Sequence, residues 1–297
     1  MARTLNVAAV QAMPLAIGTP LDVFEADVSR VLASSPGTEL LVYPELHLFG
    51  PESEKPADRD DALRASAAPL DGPFTRELGA IAARAGVWLL PGSVCERGEN
   101  GELFNTALVF SPAGELVASY RKIFPWRPFE PYDPGDRFVV FEIPNVGTFG
   151  LSICYDAWFP EVTRHLAWMG AEVILNIVKT TTPDRAQELV LARANSIVNQ
   201  TATLSLNCAG PIGEGKSLLV DAEGRVTGEL ATADPGILTG LIDLDAVALV
   251  RANGTAGFNR MWDQFQPSDN ILQLPLYAGR IDPARWNIPT PPHPRQD

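Results

Sequence analysis

The chain has 297 residues, a formal net charge of −13 and a pI of about 4.7. So acidic a surface repels phosphate backbones and sets nucleic acid aside as a partner. Its 46% hydrophobic and 20% charged residues are those of a soluble globular protein with an ample buried core. Three cysteines, Cys95, Cys154 and Cys208, are too few for a disulfide framework and fit a reducing, cytoplasmic setting. No run reaches the ~18 uninterrupted apolar residues of a membrane helix. The opening MARTLNVAAVQAMP, interrupted by Asn6 and Gln11, reads as a buried strand and not as a signal peptide.

In chain order, residues 5–10 form that first strand. Residues 21–33 place Val23, Phe24, Asp27, Val28, Val31 and Leu32 on one side, a helical stripe. The run 39–43 is a strand ending at Pro44-Glu45; 73–85 is a helix with Pro73 in its first turn, and 87–94 a further strand. LFNTALVFS and ELVASYRK, around Pro112-Ala113-Gly114, pattern as a hairpin. A loop rich in proline and aromatics, 124–136, leads to two more strands that meet near Asn145-Val146-Gly147. Then come a helix at 158–169, a strand at 171–178, and a helix at 184–198 with Asp184 near its positive end. Strands at 201–206, 217–220, 225–230 and 236–242 follow. The mixture is α/β, with both helix-covered and antiparallel sheet regions. We take residues 1–250 as one domain and 251–297 as a tail, poor in periodicity, that packs on it or on a partner subunit. Met261-Trp262-Asp263 and Tyr277 in this tail are placed to close a neighbour's pocket.

Three residues could carry chemistry. Cys154 closes the apolar strand GLSIC just before a helical segment. There, backbone N–H groups and the helix dipole favour a thiolate and an oxyanion. A cysteine nucleophile needs a base, usually histidine. His293 lies in a proline-rich tail and His165 within the following helix, which leaves His47 as the histidine near a strand end. This shortage argues against a Cys–His protease and against a histidine-rich metal site. Glu45 is the alternative base, behind Pro44 at the end of ELLVY, where open α/β sheets assemble their sites. Lys122, one of four lysines against 19 arginines, ends ELVASYRK and can stabilise an oxyanion by charge. Alone, Cys154 reads as a core thiol, Glu45 as a solvated loop residue and Lys122 as a surface cation. Their shared position at strand ends changes that reading.

These segments resemble the nitrilase superfamily of carbon–nitrogen hydrolases. The matching pieces are NVAAVQ (6–11), LLVYPEL (40–46), SYRKIFPW (119–126), LSICYDAWFPE (151–161), GAEVIL (170–175), LARANSIVNQ (191–200) and the turn 207–210. The resemblance runs in order over residues 5–245. It implies a four-layer α-β-β-α sandwich and a Glu45–Lys122–Cys154 triad. It also implies a small-molecule amide-type substrate, no metal or organic cofactor, and assembly into homodimers or larger homo-oligomers. RKIFPWRPFEPYDPGD (121–136) is most like the aliphatic amidases. By that likeness Glu130, eight residues after Lys122, positions the lysine and the substrate, and Trp126 lines the pocket. The backbone N–H of Tyr155 would share the oxyanion with Lys122.

The chain departs from its relatives in three places. Ile123-Phe124 replaces a histidine common after the lysine. Trp158 stands where relatives acting on acidic substrates have arginine. Tyr155-Asp156 replaces the Trp-Glu of true nitrilases. An amide or carbamoyl substrate is therefore favoured over a nitrile. Lys179 and residues 180–182 fall in a variable substrate loop. The alternatives are a nitrilase or N-carbamoyl amidohydrolase with the same triad, an N-acyltransferase, and a non-catalytic binding subunit.

Overall fold

The computed structural model describes residues 2–275 and 278–281. Two sheets stack face to face, with helices on both outer faces, as the resemblance implies. The first sheet comprises β1 (Thr4–Gln11), β2 (Leu40–Val42), β3 (Trp88–Leu90), β4 (Ser93–Arg97), β5 (Leu103–Phe110), β6 (Leu116–Arg121) and β13 (Gly236–Asp243). The second comprises β7 (Val140–Ile143), β8 (Gly147–Ile153), β9 (Val173–Val178), β10 (Ala202–Asn207), β11 (Leu218–Val220) and β12 (Val226–Glu229). At the heart of each, three strands run parallel: β1–β2–β3 and β8–β9–β10. The flanking pairs are antiparallel, including the predicted hairpin β5–β6. A separate small pair joins β14 (Leu272–Leu274) to β15 (Gly279–Ile281).

The period of two decides which side chain goes where. Leu5, Val7 and Ala9 of β1 face the second sheet and pack with Phe149, Leu151, Ile153, Leu175 and Leu204. The alternate residues Ala8 and Val10 face outward onto Phe24, Val28 and Val31 of α1 (Leu21–Ser34) and Leu78 and Ile81 of α3 (Pro73–Ala85). On the far side, Val162 and Leu166 of α4 (Pro160–Trp168) cover the second sheet with Ile174. Ala192 of α5 (Arg185–Asn199) covers Leu218 and Val220.

Four local expectations are corrected. The run 87–94 is not one strand: Pro91-Gly92 breaks it into β3 and β4. Gly92 has φ +95, and a Cβ there would lie 2.1 Å from the Pro44 carbonyl oxygen, so only glycine lets the break nest against the turn that carries Glu45. Val23 is exposed and only Phe24, Val28 and Val31 of the α1 stripe are buried. Helices α2 (Arg59–Ser66) and α6 (Leu244–Asn253) lie in stretches given no element from sequence. The predicted helix 158–169 is split, with a 3-10 turn at Cys154–Trp158 preceding α4.

The strand β13 crosses back to pair with β1 over Thr4↔Asp243 to Gln11↔Gly236. Within the tail, Met261–Asp263 form a 3-10 turn, and Trp262 is buried 6.2 Å from the Trp168 ring of the same chain. Tyr277 and His293 lie outside the described residues. Among the described residues, no helix is long and apolar enough to cross a membrane.

Candidate active site

Parallel sheets place functional groups just beyond the carboxyl ends of their strands. Here Glu45 follows β2, Cys154 follows β8 and Thr180 follows β9. Lys122 follows β6 of the hairpin. The sandwich thus brings residues far apart in sequence to one end of the molecule.

The turn after β2 is fixed by its backbone. Tyr43 donates its N–H to Leu90 O at 2.8 Å, and Leu46, at φ +52, donates to Ser93 Oγ at 3.0 Å. Glu45 between them is 1% exposed and fully engaged. Its Oε1 accepts from Lys122 Nζ at 3.1 Å and from Asn105 Nδ2 at 2.7 Å; its Oε2 accepts from the Lys179 N–H at 2.8 Å. Lys122 is wholly buried. Its N–H donates to Asn105 O at 2.9 Å and its carbonyl accepts from Gly135 N at 2.8 Å. Its ammonium also reaches both oxygens of Glu130, each at 2.8 Å. The Trp126 N–H donates to Glu130 Oε2 at 2.9 Å, which closes the 124–136 loop onto the cation. Burial alone would strip the Lys122 proton, but the charges of Glu45 and Glu130 hold its pKa well above the ordinary lysine value.

Cys154 sits at φ +48, a left-handed conformation that is costly for a residue with a Cβ. It is partly accessible and begins the 3-10 turn. Its position before a helical turn favours a thiolate, and the surroundings of the sulfur act in the other direction. The N–H of Ile153, the residue before the turn, donates to Asp156 Oδ2 at 3.0 Å. Burial raises the thiol well above its usual range, and Glu45 adds to this while Lys122 opposes it. The same surroundings thus favour the neutral thiol at Cys154 and the charged ammonium at Lys122.

Asp156 ties the turn to the other sheet. It is buried and accepts from Tyr120 OH at 2.7 Å and from the Phe124 N–H at 2.9 Å. Burial lifts its carboxyl to about 6, with these donors offsetting part of the rise. Residues of β6 and of the loop after Lys122 thereby hold the Cys154 turn in place.

Three predicted aromatics sit nearby. The Tyr155 ring lies 6.1 Å from Trp158 and 5.3 Å from Phe159, and Trp126 lies 4.5 Å from Phe129. The Trp158 Nε1 is buried without a protein partner. The histidines stand apart. His47 packs between Tyr43 and Phe24 on the outer face of the first sheet, and burial lowers its pKa to about 4. His165 stacks on Phe138, with Nδ1 2.7 Å from Glu161 O. Among the described residues, no group of three or more His, Cys, Asp or Glu is arranged to hold a metal ion.

Asn105, Tyr120, Arg185 and Glu188 escaped the sequence reading. Asn105 had a signal, a polar residue inside the apolar strand LFNTALVF. Arg185 and Glu188 look like the polar face of a helix, yet both are buried.

The chain belongs to the carbon-nitrogen hydrolase family, which it matches over residues 6–252. Curated formamidases are similar to it. That of Pseudomonas syringae pv. tomato is 32% identical over 212 residues, 68% of this chain and 59% of that protein. That of Bacillus cereus is 34% identical over 215 residues, 68% and 63% of the two chains. The matched part therefore spans about three fifths of these relatives' length. Among solved structures, Saccharomyces cerevisiae Nit3, of the nitrilase superfamily, has 22% identity and a TM-score of 0.75 over 87% of this chain and 97% of its own, a likeness of fold. An amidase from Nesterenkonia sp. has 28% identity and a TM-score of 0.65 over 84% and 95%, in a mutant in complex with butyramide. Another mutant of that amidase shows covalent addition of the acetamide moiety of fluoroacetamide at its active site cysteine.

Proposed function

We propose that this protein hydrolyses a small aliphatic amide, with Cys154 as nucleophile and Glu45, Lys122 and Glu130 as its partners. The observation that carries this is the buried Lys122 ammonium, clamped between Glu45 and Glu130 where the strands that carry Glu45 and Cys154 end. The similarity to formamidases and to an amidase crystallised with butyramide supports the substrate class.

In this scheme Glu45 takes the thiol proton as sulfur attacks the carbonyl carbon, forming the C–S bond. Lys122 and the Tyr155 N–H hold the oxyanion, while Glu130 keeps the ammonium charged and aimed. Glu45 then gives its proton to the departing ammonia, the C–N bond breaks, and a thioester remains. Glu45 next draws a proton from water, which attacks the thioester and releases the carboxylic acid and the thiol. A raised thiol pKa suits this order, because the proton leaves only when attack begins. Tyr155, Trp126 and Trp158 supply the apolar wall of the acyl pocket. We further propose that residues 1–250 form the hydrolase domain, that 251–297 packs on it or on a partner, that the chain assembles as a homodimer or larger homo-oligomer, and that it works in the cytoplasm.

Ammonia release from formamide, acetamide and butyramide tests the reading. Cys154→Ala is expected to abolish release while leaving the circular dichroism spectrum unchanged. Full activity in that variant sinks the proposal, and release of ammonia from nitriles alone would transfer it to a nitrilase.

A further inference from the structure

The second sheet carries a buried polar cluster that the scheme above does not use. Thr180 places its hydroxyl 3.8 Å from Cys154 Sγ. The same hydroxyl donates to both oxygens of Glu188, at 2.8 and 2.9 Å. Glu188 is buried and accepts from Arg185 Nη1 at 3.0 Å. Arg185 is wholly buried, and its other bonds go to Ser205 and to the carbonyls of Gly215 and Lys216. The Thr180 N–H donates to Asn207 Oδ1 at 2.9 Å, which fixes the residue at the end of β9. A buried ion pair of this kind, one hydroxyl away from a nucleophile, is more than packing requires.

A hydroxyl has one proton and two lone pairs. The Thr180 proton is committed to Glu188, so Thr180 offers sulfur a lone pair. The complement of a lone pair is a thiol S–H, not a thiolate. We infer that Thr180, backed by Glu188 and Arg185, is a positioning residue that accepts the Cys154 S–H and holds the sulfur in its resting orientation. This rests on Cys154 being the nucleophile.

The charges around the sulfur agree. Glu45 beyond β2, Glu130 in the 124–136 loop and Glu188 on α5 all disfavour a thiolate, and Lys122 beyond β6 opposes them. Arg185 feels the Cys154 charge but is paired with Glu188. Asp156, in the turn itself, is occupied by Tyr120 and two backbone N–H groups. A thiol proton engaged by Thr180 is not directed at Glu45. Transfer to Glu45 then requires rotation about the Cβ–Sγ bond, which an arriving substrate would trigger by displacing the S–H from Thr180.

The rate of iodoacetamide alkylation at Cys154, read by mass spectrometry against pH, tests this. Thr180→Val is nearly isosteric and removes the lone pair. Its half-maximal pH should fall by about one unit, the size of one hydrogen bond lost to the neutral thiol. Thr180→Ser keeps the hydroxyl and should retain the parent profile. Glu188→Gln removes a like charge and should lower the profile too; if it fails to fold, the two Thr180 variants carry the test. An unchanged or raised half-maximal pH in Thr180→Val, or a fall shared equally by Thr180→Ser, overturns the inference. Amide hydrolysis surviving in Cys154→Ala would overturn the nucleophile assignment instead, and leave the alkylation profiles to judge the Thr180 contact separately.

Discussion

The two sheets furnish opposite sides of the same site in different ways. On the first-sheet side, buried Glu45 and Lys122 and half-buried Glu130 form a set in which every charge has partners at 2.7 to 3.1 Å and the backbone on either side of Lys122 is fixed. On the second-sheet side, Cys154 occupies a left-handed elbow, and its sulfur makes one long hydrogen-bond contact, of 3.8 Å, among the described residues. Groups that stabilise developing charge act best when preorganised, because reorienting them during reaction costs energy. A nucleophile has to shift from its resting contact to attack. The rigid side and the looser side match those two duties.

The comparison breaks first at Lys122. Lys122→Met leaves buried Glu45 and half-buried Glu130 without their shared cation. A loss of about 3–5 kcal/mol is expected, seen as a lower urea midpoint; a change below about 1 kcal/mol would mean that the ion set does not anchor the first-sheet side.

Glu45→Gln should separate chemistry from stability. Its kcat for amide hydrolysis should fall by about 10²–10⁴-fold, the range of a lost general base, while Cys154 is still alkylated. Retained kcat would move the base elsewhere.

A third change sharpens the comparison from the pH side. His47 has its pKa lowered to about 4 by burial, from an ordinary 6.5. The unfolded chain therefore binds this proton first, and stability falls as pH drops from about 6.5 toward 4. The loss reaches about 3.5 kcal/mol at most, since each unit is worth about 1.4 kcal/mol. His47→Gln should flatten urea midpoints across that window, and an unaltered slope would assign acid sensitivity to other groups.

The smallest effect is expected at the tie between the sheets. Tyr120→Phe removes one hydroxyl from Asp156 and should cost about 1–2 kcal/mol by urea unfolding. It should slow hydrolysis only modestly, because the Phe124 and Ile153 N–H groups still hold the carboxylate. A variant as inactive as Cys154→Ala would show that the elbow depends on that one bond.

Much of this was legible in the sequence because local rules decided it. Apolar runs of strand length placed β1 and β8, the 3.6 period placed α1 and α5, and Pro73 marked the start of α3. The strand-end positions of Glu45, Lys122 and Cys154 were visible for the same reason. Other features have no local signature. The Arg185–Glu188 pair has the spacing of an ordinary surface ion pair, and only the sheet beneath it makes it buried. The state of the Cys154 thiol depends on carboxylates from three segments and a cation from a fourth, and a motif read along one strand misses that sum. Helix α2, RDDALRAS, buries Leu63 alone and shows no stripe to read.

The pairing of β1 with β13 joins residues 4–11 to residues 236–243. During synthesis, β1 emerges long before its partner exists. Until β13 arrives, β1 is the bare margin of its sheet, and unpaired margins recruit strands from other molecules. The nascent chain must therefore shield β1 until residues 236–243 have been made, and this loop closure makes the pairing a late, long-range event.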